Sequence, residues 1–497
     1  MATNKYVSTI GLEIHVHLKT KSKMFCSCAN EDLTEPNKNI CPICSAQPGA
    51  LPVANRQAIE WTWLLGIALN SEIAPRFNFE RKNYFYPDLP KGYQITSSTN
   101  PPCIGGEIKI GERKIRVNHI HLEEDTGKSI HDKTGKATLI DLNRAGAPLV
   151  ELVTEPDITS GFEAKTFCQE LQLILRYLKI ADADMEKGQM RCEVNISLRP
   201  EGQKEFGTKV EVKNLNSFKT VERAIDYEII RQTKLLEQGE KVIQENRGWR
   251  DDLGETVAQR SKEEAHDYRY FPEPDLPPIV FDQDEYEKLQ AKIPELPMAN
   301  RERFYSEYGF SLDDARLLTA DQNTADYAEN TISELRAWLN SLPDLDGTED
   351  EIWDNNKKKL IKLLSGWLTS ELFKLMNEKQ ITVKELKITP ENFAEFITLF
   401  YQSKINSSAG QIILKEMFAT GGDPSDILAE KNLAQVEDES VIEAAADKVI
   451  AEFPGEAEKY RGGKESLLQF FVGKVMAETQ GKANPQTAQK VLKKKLK

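Results

Sequence analysis

The chain is 497 residues long, carries a formal net charge of -14 and has the composition of a soluble globular protein. That length exceeds one ordinary hydrophobic core and predicts several domains, while no apolar run reaches the ~20 residues a membrane span requires, so no membrane association is expected. The acidic balance excludes a general nucleic-acid coat and any DNA partner, and leaves RNA contact to local basic patches such as the closing "QKVLKKKLK".

The chain enters a strand-like pattern within a few residues of its N-terminus, without the apolar region of a secretory signal, and a cytoplasmic location is expected. In "TIGLEIHVHL", Ile10, Leu12, Ile14, Val16 and Leu18 alternate with Gly11, Glu13, His15 and His17. This is the period of a half-buried strand. Glu13 and His15 share its polar face, with Cα atoms about 7 Å apart, close enough to converge on one cation or phosphate.

Cys26, Cys28, Cys41 and Cys44 follow in the loop 24–45, as C-x-C, twelve residues, then C-x-x-C. Two close pairs suit one tetrahedral Zn2+, and four thiolates would fill its coordination sphere. Such a zinc is structural, so the chemistry must lie elsewhere. Cys103, Cys168 and Cys192 stand apart, and Cys168 and Cys192 read as core residues.

Further along, "KIRVNHIHLEEDTGK" shifts phase between Val117 and Ile120, which predicts a bulge or strand end, and then delivers Glu123, Glu124 and Asp125 in succession. Glu151 sits within the apolar "PLVELV" and needs a partner such as a cation. In "RCEVNISL", Arg191, Glu193, Asn195 and Ser197 oppose an apolar face, and in "GTKVEVKN", Lys209, Glu211 and Lys213 do the same. Carboxylates suit Mg2+, and neighbouring Arg191, Lys209, Lys213 and Asn195 suit phosphates, so these faces predict an ATP-Mg2+ site if the strands adjoin. "EEDTGKS" is not a phosphate loop, because Leu122 stands where the first glycine is required. No hydrolase nucleophile motif occurs either.

After the proline-rich "YFPEPDLPPIV" and "PELPMAN" the pattern turns helical, with later breaks at "NSLPDLDGTEDEIWDNN" and "INSSAG". The expected fold is α+β. A mainly antiparallel-sheet cradle with helices spans 1–293, an all-helical middle domain 294–405 and a helical tail 406–497. In the tail an apolar stripe through Leu467, Leu468, Phe471 and Val472 precedes the basic end, which could meet RNA phosphates.

Seven segments in order, "GLEIHVHLKTKSKMFC", "RKNYFYPDLPKGYQIT", "HLEEDTGKS", "DLNRAGAPLVELVTEPD", "MRCEVNISLRP", "FGTKVEVKNLNSF" and "DYRYFPEPDLP", resemble the B subunit of the bacterial-type aspartyl/glutamyl-tRNA amidotransferase. The resemblance covers essentially the whole chain. It implies a heterotrimer with an amidase-type glutaminase A subunit and a small C subunit, acting on Glu-tRNA(Gln), Asp-tRNA(Asn) or both, with the helical tail as the tRNA reader. This subunit would use ATP to phosphorylate the side-chain carboxylate of the tRNA-bound amino acid, and ammonia from glutamine would then displace phosphate. By position in the matching motifs, Glu13, His15, Glu123, Glu124, Glu151, Glu193 and Glu211 correspond to Mg2+-binding and phosphate-transfer residues, with Glu124 nearest the chemistry and Lys91 by the ammonia path. Glu193 replaces the aspartate of some relatives, and His17 matches no ligand. A zinc-stabilised tRNA-binding module without catalysis is the alternative reading, although it leaves the clustered carboxylates unexplained.

Overall fold

The computed structural model describes residues 5–496 except 32–34, 133, 135, 262–266, 343–344, 435–438 and 480–481. The fold is α+β, in two compact units of residues 1–298 and 299–497. The longer elements of the first unit are, in chain order, β1 (Tyr6–His17), α1 (Arg56–Ala68), β2 (Glu80–Asn83), β3 (Tyr93–Thr96), β4 (Arg113–Glu124), β5 (Pro148–Thr154), α2 (Gly161–Tyr177), β6 (Met190–Pro200), β7 (Val210–Leu215), α3 (Phe218–Glu237), β8 (Glu245–Arg250) and β9 (Glu255–Ser261).

The strands form one sheet in the order β9-β8-β7-β6-β1-β5-β4-β3-β2. Neighbours are antiparallel apart from the parallel pair β7 and β8, and the short strand Cys103–Ile104 adds to the edge of β4. The alternation of β1 decides which face is buried. Ile10, Leu12, Ile14 and Val16 join one core with Phe167, Leu171 and Leu175 of α2, Val221 and Ile225 of α3, and Trp63 and Leu64 of α1. Helices therefore cover one face, and the polar residues of the same strands are left to the other. The expected phase break in β4 is real. Its register with β5 shifts between Val153 and Thr154, which pair with His119 and Val117 respectively.

Each covering helix starts at a side-chain cap: Asn55 accepts from Ala58 N, Ser160 from Glu163 N, and Ser217 forms a capping box with Thr220.

The second unit is helical and, among its described residues, has two apolar cores. One runs from Phe304 to Ile427 and includes α4 (Gln322–Asn340), α5 (Glu349–Ser365), α6 (Pro390–Tyr401) and α7 (Ser407–Thr420). The other begins at Ile442 and joins α8 (Glu439–Glu452), α9 (Leu467–Glu478) and α10 (Pro485–Lys495). The break expected at 405/406 is a helix start rather than the start of a new core. Asn406 caps α7, whose Ile413, Leu414 and Met417 pack into the first of these cores. Among the described residues no helix is long and apolar enough to cross a membrane.

Under the sheet, the backbone of α1 comes close to a neighbour at Gly66, where an added Cβ would lie 2.5 Å from Cys103 Sγ. Overpacking costs about 1–3 kcal/mol, against a helix-propensity gain of about 1 kcal/mol for alanine. Gly66→Ala is therefore expected to destabilise by on the order of 1 kcal/mol. Urea unfolding reads this directly, and an unchanged or raised midpoint would contradict the close contact.

Candidate functional site

Register carries the predicted residues together. Arg191 of β6, His15 of β1, Glu151 of β5 and His121 of β4 form one transverse row, because His15 pairs with both Arg191 and Glu151, and Glu151 with His121. Glu13 and Glu193 pair in the adjacent row. The strands whose adjacency the sequence left open are thus neighbours.

Glu151 is buried. Its Oε2 lies 3.2 Å from His15 Nε2 and 3.2 Å from His121 Nε2. Burial opposes its ionisation, but the two imidazoles hold it well below the usual carboxylate range. The histidines respond in kind. Burial opposes the charge on His121, yet Glu151 and Glu123 push it up to about 10, and His15 is raised by Glu151, Glu123 and Glu13 against the same opposition. Glu13 moves the other way for a carboxylate, raised to about 7 by burial and then by Glu151 and Glu193, against His15.

Among the described residues, three overlapping donor sets each bring ligand atoms within 4.8 Å of one another: Glu13, His15 and Glu151; His121, Glu123 and Glu151; Glu13, Glu193 and Glu211. Carboxylate oxygens with one imidazole fit a hard divalent cation. Glu123 Oε2 is buried with no hydrogen-bond partner among the described residues, and so is Asn195 Oδ1. Glu123 Oε2 is engaged only by the ion pair with His121 Nε2 at 3.7 Å, and this weak engagement further suits the face to a cation. Lys213 Nζ bridges Glu193 at 2.5 Å and Glu211 at 3.3 Å.

The structure does not bring every expected residue here. Glu124 follows Glu123 on β4 and so faces the opposite way. Its Oε1 pairs with Lys91 and accepts a hydrogen bond from Ile95 N at 2.9 Å, away from the shared donor sets. Arg191 turns to Asp125, at 2.9 Å. Asp125 is buried, also accepts from His17 at 2.7 Å, and lies 3.3 Å from Arg144. Burial opposes its charge, but His17, Arg191 and Arg144 hold it far below the usual range. Lys209 is exposed, just before β7.

The four cysteines do converge, with one ligand atom from each inside the same 4.8 Å limit. None is in a disulfide. The S–H of Cys26, the Cys41 backbone N–H and Lys23 hold the Cys44 thiol down at about 4, while burial pushes Cys28 up to about 11. Four thiolates around a divalent ion would carry excess negative charge, and Lys23 would offset part of it. This lysine is fully buried, with Nζ 2.8 Å from Asn39 O and 3.8 Å from Cys44 Sγ. The donor set fits structural Zn2+.

The comparisons with known proteins agree with one another. A family model described as "GatB/GatE catalytic domain" matches residues 8–287, and one described as "GatB domain" matches 351–496. A Thermodesulfovibrio yellowstonii protein, named as the B subunit of an aspartyl/glutamyl-tRNA(Asn/Gln) amidotransferase, is 45% identical, with 99% of this chain and 100% of that protein covered. A Myxococcus xanthus protein of the same name is 44% identical, with 100% of both chains covered. The chain belongs to the amidotransferase B-subunit family.

Within this B-subunit chain, the sequence names Asp125 and His17 without showing that they pair, and gives no role to His121 or Lys23. The signal for His121 was present: it stands two residues before Glu123 on β4, so the two share a face beyond the bulge.

Two outcomes follow for this family member. In chelated protein, Glu13 contributes stability that is fully present below its ordinary value of 4.5 and is lost as pH rises through about 7, because its folded-state pKa is raised. Glu13→Gln, which mimics the protonated group, should raise stability at pH 8 in chelator by on the order of 1 kcal/mol and flatten the pH slope. A variant as pH-sensitive as wild type in thermal unfolding would contradict this. Elemental analysis without added metal should find about one zinc per chain, and Lys23→Met should lose it ~10–100-fold more readily to a chelator. Retention equal to wild type would remove Lys23 from the site.

Proposed function

We propose that this chain is the subunit that activates the side-chain carboxylate of Glu-tRNA(Gln), Asp-tRNA(Asn) or both, through ATP-dependent phosphorylation. It would act in the cytoplasm, in a heterotrimer with an amidase-type glutaminase A subunit and a small C subunit. The observation that carries this reading is Glu151, a buried carboxylate between His15 and His121 on a face of overlapping carboxylates.

Ammonia cannot displace oxide from a carboxylate, so a better leaving group must be installed first. The acceptor carboxylate oxygen bonds to the γ-phosphorus of ATP, and the bond to the bridging β–γ oxygen breaks to release ADP. Ammonia from glutamine then attacks the acyl carbon, and phosphate leaves with its C–O bond electrons. Glu13, His15, Glu151 and Glu123 would hold Mg2+, which would neutralise the charge developing on the transferred group. Glu193 and Glu211 extend this face, and Lys213 beside them, with Asn195, would orient the phosphates. Arg191 is engaged by Asp125 and would act by fixing the end of β4 rather than by binding nucleotide. Glu124 and Lys91, paired on the other side of β4, would line the ammonia path, and Lys209 would meet phosphate only from the surface.

The tail would hold tRNA. Lys493 and Lys494 are exposed in the last turn of α10, while Lys495 is tied to Asp447 at 2.6 Å.

Glu151→Gln tests the reading in protein copurified with both partner subunits and given ATP-Mg2+, glutamine and Glu-tRNA(Gln). Amidated tRNA should form at least ~10²-fold more slowly, with glutamine hydrolysis retained. Transamidation within a few-fold of wild type would refute this placement of the chemistry.

A further inference from the structure

Past the end of β2 the chain reads "YFYPDLP", and a second aromatic segment, "DYRYFP", returns beside it. Asn83 fastens the two. Its backbone N–H donates to Tyr268 O at 3.0 Å, and its side-chain amide donates to Tyr268 O at 3.0 Å and Arg269 O at 2.9 Å. Between the segments opens a cavity of about 480 Å³, lined by Lys82, Tyr84, Phe85, Tyr86, Tyr268 and Arg269 among others. That volume is within the range of small-molecule sites.

The rings are arranged edge to face. Tyr84 meets Tyr86 at 6.0 Å and Tyr268 at 6.0 Å, and Tyr268 meets Tyr270 at 5.9 Å. Phe85 is 81% exposed and Tyr86 57%. Core packing does not account for two adjacent rings left in water, whereas a flat ligand that stacks on them would.

Lys82, which lines the cavity, pairs with Gln94 of β3, and Thr96, two residues along that strand, pairs with Glu123, so Lys82 and Glu123 lie in successive rows of one sheet face. Lys82 Nζ lies 5.1 Å above the Tyr268 ring. Burial opposes its charge, but Glu123 and Glu151 raise its pKa, so the ammonium persists where cavity and carboxylates meet. Tyr84 donates to Gln94 Oε1 at 2.9 Å, and Gln94 donates to Glu124 O at 2.6 Å, which fixes the aromatic wall to the end of β4.

We propose that this cavity is a nucleobase site, in which the adenine of a purine nucleoside stacks on Phe85, Tyr86 and Tyr268, with its reactive end directed past Lys82 toward Glu123 and Glu151. The proposal rests on the phosphoryl-transfer reading above, and two of its substrates carry adenine: ATP and the 3′-terminal adenosine of the aminoacyl-tRNA. Polar lining by Lys82 and Arg269 favours a base over an aliphatic peptide side chain.

The test measures binding, not turnover, on protein copurified with its partner subunits. Phe85→Ala/Tyr86→Ala is compared with Phe85→Tyr/Tyr86→Phe, which keeps both rings, by equilibrium dialysis of ATP-Mg2+ and by filter binding of Glu-tRNA(Gln) with and without its terminal adenosine. The alanine pair should weaken one of the two ligands at least tenfold, and the ring-keeping pair should bind it as wild type does. Weakened ATP would assign the site to the nucleotide. Weakened tRNA binding, seen only when the terminal adenosine is present, would assign it to the tRNA end. Unchanged affinity for both ligands would overturn the proposal, and so would loss of a partner subunit from the alanine variant with nucleotide and tRNA affinity intact. Failure is separable from that of the parent reading. If Glu151→Gln keeps full transamidation while the alanine pair loses ATP, the chemistry is misplaced but the base site stands.

Discussion

A carboxylate buried in the middle of a sheet must be neutralised, and Glu151 is where this molecule meets that requirement. Its two imidazole neighbours come from the strands on either side. Register between β5 and its neighbours β1 and β4 is therefore coupled to charge as well as to hydrophobic burial. Slipping either strand by one residue would turn its histidine toward the helices and leave Glu151 short of a partner. The same pairing sets Glu13 beside Glu193 and near Glu151, and burial, followed by repulsion from Glu151 and Glu193, raises the pKa of Glu13. An excess of carboxylate over cation on this face is costly for an empty sheet and favourable for binding a divalent ion.

The helices serve this arrangement indirectly. By covering the apolar face with α1, α2 and α3, they leave the opposite face of the central strands for polar chemistry. The cysteine loop follows the end of β1, and Lys23 beside it is buried against Cys44. The loop thus contributes a second, closed charge system. One set of donors consists of sulfur alone, whereas in the other Glu123 Oε2 makes no hydrogen bond among the described residues and meets only His121 Nε2, at 3.7 Å. That contrast separates a structural site from one available to substrate.

Much of this was legible in the sequence. The period-two pattern of β1 gave both its buried and its polar residues, and cysteine spacing pointed to the convergence of four thiols. What escaped depended on partners from elsewhere in the chain. The bulge in β4 reset the parity of its side chains, so the sequence alone could not say that His121 and Glu123 face Glu151 while Glu124 does not. Arg191 reads as a phosphate ligand in the sequence because its partner Asp125 lies 66 residues away. "INSSAG" reads as a domain break in the sequence because a helix cap and a linker share the same residue types. The aromatic cavity joins two segments almost two hundred residues apart, neither of which signals the other.

The central claim is that the face around Glu151 binds the divalent cation used in phosphoryl transfer. It is tested most directly by anomalous diffraction from crystals of the copurified complex grown with Mn2+ and a non-hydrolysable ATP analogue. The account predicts an anomalous peak bounded by Glu13, His15 and Glu151, with the analogue's phosphates against it. A fully occupied nucleotide and Mn2+ bound elsewhere, with no peak at this cluster, would contradict it.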